Sequence, residues 1–249
     1  MSLFRPRANA GTLGLVRAGM GGVAARLQGF IDRSAAGVQL AAAIRRLKPR
    51  PPLSVLGLPR GGVTVAFEVA RILKAPLDVL VVRKIGMPGQ REFAIGAIAW
   101  GGIVMRDPAA ARFGPDERAF EELVRHERHE LERREHLYRG GLPSLDLHGT
   151  TAVLVDDGLA TGSTMLAAVR AARHAGATRV IAAAPVASEE ASARVAEEAD
   201  QLAILLTPPF LQSVGEWYED FTQVEDDEVR ELLRRARSGE LLRDTQPAD

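Results

Sequence analysis

The chain has 249 residues, enough to bury a sizeable core as one domain or as a domain with a small addition. Its 32 Lys and Arg balance 32 Asp and Glu, so no strong basic field makes nucleic acid or a membrane surface the default partner. It has no cysteine, which excludes disulfides and thiolate metal sites, and no apolar run reaches the ~18 residues of a bilayer span, so a soluble cytoplasmic protein is expected.

Residues 1–29 carry Arg5, Arg7, Arg17 and Arg26, and no acid precedes Asp32. Their scattered apolar residues, interrupted by Arg17, form no signal-peptide core, and a flexible N-terminal extension is expected. Phe30, Ile31, Ser34, Val38, Ala41, Ala42 and Ile44 then recur at helical spacing, predicting a helix over 30–47 that Pro49, Pro51 and Pro52 end. Residues 53–58 read as a short buried strand and 63–73 as a helix, with Pro59-Arg60-Gly61-Gly62 between them. Gly57, Gly62 and Thr64 nearly spell a Walker loop, but Val63 stands where the phosphate-reaching Lys belongs, so nucleoside triphosphate hydrolysis is rejected. What remains is a strand, an Arg-Gly-Gly turn and a helix, which together make an anion nest.

The run 77–82 predicts a parallel strand capped by Arg83-Lys84, followed by a turn-rich loop over 85–92. Residues 93–99 and 103–105 read as a hairpin about Gly101-Gly102. A highly charged helix is predicted over 115–139. Phe120, Val124, Leu131 and Tyr138 share one face of it, to pack on a hood or on a second copy in a homodimer. His126 and His129 are three apart among arginines, unlike the i,i+4 pair of a zinc helix, so they read as a solvated face.

The central stretch is Val153-Leu154-Val155-Asp156-Asp157-Gly158-Leu159-Ala160-Thr161-Gly162-Ser163-Thr164-Met165. A buried strand delivers two carboxylates at its C-terminal end. A small loop follows, then a helix over 165–173. Backbone donors of 161–164 sit near that helix's N-terminus and favour an anion, and Thr161, Ser163 and Thr164 add hydroxyls. Asp156 and Asp157 would repel a bare phosphate. They suit a ligand that also carries vicinal hydroxyls or a divalent cation, as a ribose 5-phosphate does. Beyond it, 179–184 reads as a strand ending at Pro185, 188–199 as a helix capped by Ser188, 201–206 as a strand and 226–237 as a last helix. A domain over 30–237 is expected, with 208–237 as hood and tail, and 238–249 as a flexible C-terminus. The order predicts an α/β fold with a mainly parallel, doubly wound sheet covered by helices on both faces, plus a β-hairpin. Its ligands belong beyond the strands' C-terminal ends.

The central stretch closely resembles the phosphoribosyl-pyrophosphate (PRPP) motif of type I phosphoribosyltransferases, in particular bacterial members of unassigned substrate. The resemblance covers roughly residues 53–225. It implies an enzyme, a pentosyltransferase, that moves ribose 5-phosphate from PRPP to a nitrogen acceptor and releases pyrophosphate with Mg²⁺. By this resemblance Asp156 and Asp157 hold the ribose hydroxyls, with Gly158, Ala160, Thr161, Gly162, Ser163 and Thr164 around the 5-phosphate. Arg60, Gly61, Arg83 and Lys84 receive pyrophosphate. The metal is held mainly through substrate, with Asp156 and Asp157 as protein ligands. The 85–92 segment resembles the family's mobile catalytic loop, and Trp217, Tyr218 and Phe221 lie where members cover the base. Hypoxanthine-guanine members carry an Asp immediately before Thr-Gly; here it is Ala160, as in adenine-type members, whose loop carboxylate corresponds best to Glu92. A non-catalytic regulator that senses nucleotide or PRPP through the same fold, and an enzyme acting on another ribose-phosphate bond, stay open as alternatives.

Overall fold

Strand β1 (Leu53–Gly57) is the pivot of a computed structural model that describes residues 29–107, 114–142 and 145–238, the side chains of 91–93 excepted. It lies between β2 (Leu77–Val79) and β6 (Thr151–Val155). β7 (Arg179–Val186) and β8 (Gln201–Leu206) continue the sheet in the order β2-β1-β6-β7-β8, and every pair is parallel. All five residues of β6 are buried, as a strand covered on both faces requires.

Successive side chains of these strands point to opposite faces and separate two apolar cores. Val55, Val153, Val155 and Ile181 join Leu40 and Ile44 of α1 (Arg33–Arg46), Val63 and Val69 of α2 (Gly61–Leu73), and Leu131 of α3 (Glu117–Arg139). Leu56, Leu154 and Ala182 join Met165 and Val169 of α4 (Ser163–His174) and Val195 of α5 (Glu189–Glu198). The expected doubly wound architecture is present. Helix α6 (Asp226–Arg237) packs Val229 and Leu233 into the first core. No helix among the described residues is long and apolar enough to cross a membrane.

Four boundaries differ from the sequence reading. Phe30 and Ile31 are not helical: Asp32 caps α1 by accepting from the Ala35 amide, and Phe30 instead bridges in parallel to Tyr218. The run 77–82 is two strands. The chain leaves the sheet after Val79 and joins a second, three-stranded sheet at Val82; Leu80 and Val81 between them are buried, so the apolar run carries no mark of the break. That sheet orders β3 (Val82–Met87), β4 (Gln90–Ala99) and β5 (Ile103–Arg106), antiparallel. The 85–92 segment is therefore mostly strand, and only Pro88-Gly89 turns, with Gly89 at φ +79. Last, β7 runs through Pro185. Past Ala183 it pairs only with β8, so one side of the strand needs no amide donor. The expectations for residues 1–28 and 239–249 lie outside the described residues.

Candidate active site

The sheet reverses direction between β1 and β6, since β1 connects outward to β2 and β6 connects to β7 on the other side. Ligands of open α/β sheets sit outside the strand ends at such a point. Two loops leave there side by side, and the Leu58 amide donates to the Val155 carbonyl at 2.9 Å.

The β1–α2 loop lies directly on the acidic pair. A Cβ at Gly61 would overlap Asp157 Oδ2 and stand 2.7 Å from Arg33 Nε; one at Gly62 would stand 2.7 Å from the Val155 carbonyl oxygen and 2.8 Å from Asp156 Cα. Both glycines are required by this approach, whatever their conformational freedom. The Arg60 guanidinium extends to Glu225 at 3.2 Å.

Asp156 and Asp157 follow β6 and are mostly enclosed. Asp156 Oδ1 accepts from the Asp157 amide at 2.9 Å, and Asp157 Oδ2 accepts from Arg33 Nε at 2.9 Å. Burial, then the neighbouring Asp157 charge, pushes the Asp156 carboxyl well above the ordinary range, with Lys84 opposing. Burial also raises Asp157, against the Arg33 guanidinium. Such a pair is completed by a cation or by hydroxyl donors. Among the described residues no group of three or more His, Cys, Asp or Glu gathers for a metal. Two carboxylates, one of them shared with Arg33, fit a Mg²⁺ that keeps waters and substrate oxygens as most of its ligands.

The 158–162 loop is held from behind by Ser188, the cap of α5, and by Arg194 within that helix. Ser188 Oγ donates to the Ala160 carbonyl at 2.8 Å, and an Arg194 guanidinium N–H donates to the Thr161 carbonyl at 3.0 Å. Gly162, at φ +73, opens α4 with no side-chain cap; the Ser163 amide donates to Thr161 Oγ1 at 3.4 Å, and the rest of the first turn favours an anion. Thr161 Oγ1 and Ser163 Oγ are 3.2 Å apart, and both Ala160 and Thr161 are exposed. Val214 closes over Gly158.

Two expectations change. Arg83 and Lys84 were to receive pyrophosphate together, but neighbouring strand residues point to opposite faces. Arg83 pairs with Glu127 of α3 at 2.8 Å, and Lys84 is the exposed one whose charge reaches Asp156. Tyr218 was to cover a base, but it is 7% exposed, with its ring 5.4 Å from Phe30 and 5.1 Å from Phe221. Its hydroxyl donates to the Asp157 carbonyl at 2.6 Å, so it supports the acidic pair from beneath. Phe221 is half-buried, with the Arg33 guanidinium 3.8 Å over its ring, and Trp217 is half-buried beside them. Glu92 falls on β4, and its side chain lies outside the described residues.

Arg33 is the residue that sequence reading missed. It begins the buried stripe Arg33, Gly37, Leu40, Ile44, and a cation on such a stripe needs an acid opposite. That spacing was legible; its partner 124 residues away was not.

The phosphoribosyl transferase domain model matches residues 31–215, which spans both loops and the whole parallel sheet. The chain belongs to that family. It is 47% identical over 208 residues to a Mycobacterium tuberculosis protein provisionally named a phosphoribosyl transferase. The match covers 83% of this chain and 47% of the relative, so this phosphoribosyl transferase domain spans about half the length of the curated relatives it matches. The crystal structure of TT1426 from Thermus thermophilus is similar at 44% identity and a TM-score of 0.72, covering 82% of this chain and 97% of that one.

Proposed function

We propose that this chain transfers ribose 5-phosphate from PRPP to a nitrogen acceptor and releases pyrophosphate. The observation that carries this reading is the convergence at the switch point. The glycine loop of β1 lies against a half-buried acidic pair, and that pair is followed by a helix N-terminus whose Gly162 offers no side-chain cap. One ligand with a diol between two phosphate groups matches all three parts.

The 5-phosphate would rest on the amides and hydroxyls of 161–164. Asp156 and the part of Asp157 that Arg33 does not take would accept from the ribose hydroxyls and steady the positive charge that grows on the sugar ring. The 60–62 amides and Lys84 would receive pyrophosphate as its bond to the ribose carbon breaks and the acceptor nitrogen's lone pair forms the new bond. Arg60 would join them on leaving Glu225. Asp156 and Asp157 would hold a Mg²⁺ together with substrate oxygens, and the ion would supply charge neutralisation at the leaving group.

The acceptor is adenine, or another nitrogen heterocycle or amine, ahead of hypoxanthine and guanine. Ala160 is exposed beside the phosphate loop and has no titratable group with which to manage a proton at the base. Glu92 is the candidate for that proton transfer. The alternative, a regulator that senses PRPP or a nucleotide without turnover, is favoured by one observation: Arg60 and Arg83 are already paired with Glu225 and Glu127. Incubation with PRPP, Mg²⁺ and separate bases, followed by pyrophosphate measurement, decides. Release with adenine above both oxopurines is expected. A preference for hypoxanthine or guanine overturns the acceptor assignment. Tight PRPP binding with no release for any acceptor supports the regulator.

A further inference from the structure

We infer that Arg33 is a positioning residue of the ribose site, one that ties the aromatic tail at 217–222 to the carboxylate of Asp157. The inference rests on the phosphoribosyl-transfer reading above.

The placement of Arg33 is unfavourable by local rules. It is in the first turn of α1, where the helix dipole disfavours a cation, and it is 8% exposed. The rest of its stripe, Gly37, Leu40 and Ile44, is apolar and buried. Packing alone would be served by a methionine or a leucine. What compensates the guanidinium is the site itself. Nε donates to Asp157 Oδ2 at 2.9 Å, a second N–H donates to the Thr222 carbonyl at 2.8 Å, and the plane lies 3.8 Å over the Phe221 ring. The Nε–H bond holds one carboxylate oxygen, while the Asp157 side chain keeps 17% of its surface open for a ribose hydroxyl.

The same guanidinium reaches the tail. Residues 30 and 31 are stitched to 217–220 by three backbone hydrogen bonds: the Phe30 amide to the Trp217 carbonyl at 2.7 Å, the Glu219 amide to the Phe30 carbonyl at 2.8 Å, and the Asp220 amide to the Ile31 carbonyl at 2.8 Å. Tyr218 adds its bond to the Asp157 carbonyl. The tail therefore meets Asp157 twice, through Arg33 and through Tyr218. A ribose that reorients Asp157 moves the tail, and a tail that closes reorients Asp157. Binding at the two ends of the site is then coupled, in both directions.

Two properties of Arg33 are separable. Its charge serves Asp157; its planar fork and face serve Thr222 and Phe221, and a lysine cannot reproduce those. The experiment uses the full chain in a Trp100→Phe background, which leaves Trp217 as the single indole because the chain has two tryptophans. PRPP with Mg²⁺ is titrated by calorimetry and, in parallel, by Trp217 emission, for the parent, Arg33→Lys and Arg33→Met. The parent binds PRPP and its Trp217 emission shifts on binding. Arg33→Met weakens binding about 30-fold, as loss of a hydrogen bond to a charged group does. Arg33→Lys restores affinity to within about threefold of the parent yet loses most of the emission shift. Parent-like PRPP affinity in folded Arg33→Met, or a full emission shift in Arg33→Lys, overturns the inference alone. No PRPP binding by the parent overturns the reaction reading and this inference with it.

Discussion

At the scale of single residues, the acidic pair and the loop at 158–164 were legible because their chemistry is local. Asp156, Asp157 and the run 161–164 are contiguous and follow an apolar strand, so charge, donors and helix start are read from one window. Arg33, Ser188 and Arg194 act on the same loops from other elements, and sequence alone offered no distance between them. Gly61 lies between these cases: its place in a turn was visible, and the reason no side chain fits was not. Gly61→Ala puts a methyl where Asp157 Oδ2 lies, so the loop or the carboxylate must move by about an ångström. A displacement of that size near reacting groups costs about 100-fold in turnover. The expected result is a folded protein with pyrophosphate release reduced to that extent, read by steady-state assay beside circular dichroism. Wild-type turnover in Gly61→Ala would mean that the loop does not carry pyrophosphate against Asp157.

At the scale of elements, most helices and strands announced themselves by period and by punctuation, and the misreadings have particular causes. Phe30 fits a helical pattern by spacing, but its amide and carbonyl are claimed by the tail. Pro88-Gly89 signalled a turn correctly while hiding how short that turn is. Gly37 is an interior helix glycine that costs α1 about 1 kcal/mol in propensity. Its reason is the crossing with α2: a Cβ there would stand 2.7 Å from the Val65 carbonyl oxygen and 2.9 Å from Glu68 Cβ. Overpacking of this kind typically costs about 1–3 kcal/mol, more than the propensity returns. Gly37→Ala should therefore lower stability by about 1 kcal/mol in urea unfolding, and a gain in midpoint would show that the two helices have room.

Helix α3 holds a titratable group with no role in the site. Glu135 has Oε1 buried without a hydrogen-bond partner among the described residues. Burial raises its carboxyl from 4.5 to about 7, with Arg139 opposing. Between those values the folded chain keeps a proton that the unfolded chain releases. Stability contributed at low pH is therefore lost as pH rises toward 7. With allowance for partial solvent access, Glu135→Gln should add about 1 kcal/mol at pH 8, and the gain should shrink as pH falls toward 4.5. Thermal melts of the two proteins at both pH values test this. A gain independent of pH would place the effect in packing and not in charge.

At the scale of the whole molecule, the two sheets differ in how they are held. The parallel sheet is closed on both faces by α1, α2, α4 and α5, and β6 at its centre is buried along its length. The three-stranded sheet follows it through the short link at 80–81, where the Leu80 amide donates to the Gly57 carbonyl at 3.1 Å. Its outer strand β5 leaves Val104 exposed, and the turns at Gly89 and Gly101 have open space around them. Local opening draws on regions with few buried contacts and solvent-facing backbone bonds. Amides of β5 and of the turn at Pro88-Gly89 should therefore exchange through openings several kcal/mol cheaper than global unfolding, while those of β6 and β7 exchange only with it. Native-state hydrogen exchange over a denaturant series reads both sets in one experiment. The difference has a consequence for the site, because Lys84 and Glu92 ride on the less protected sheet while Asp156, Asp157 and 161–164 are anchored to the protected one. PRPP that engages Lys84 should then slow exchange at β3 by suppressing its local opening, while β6 slows only by the rise in global stability that PRPP binding itself supplies. Equal protection of the two sheets without ligand would remove that distinction, and Lys84 would have to be treated as part of the rigid frame.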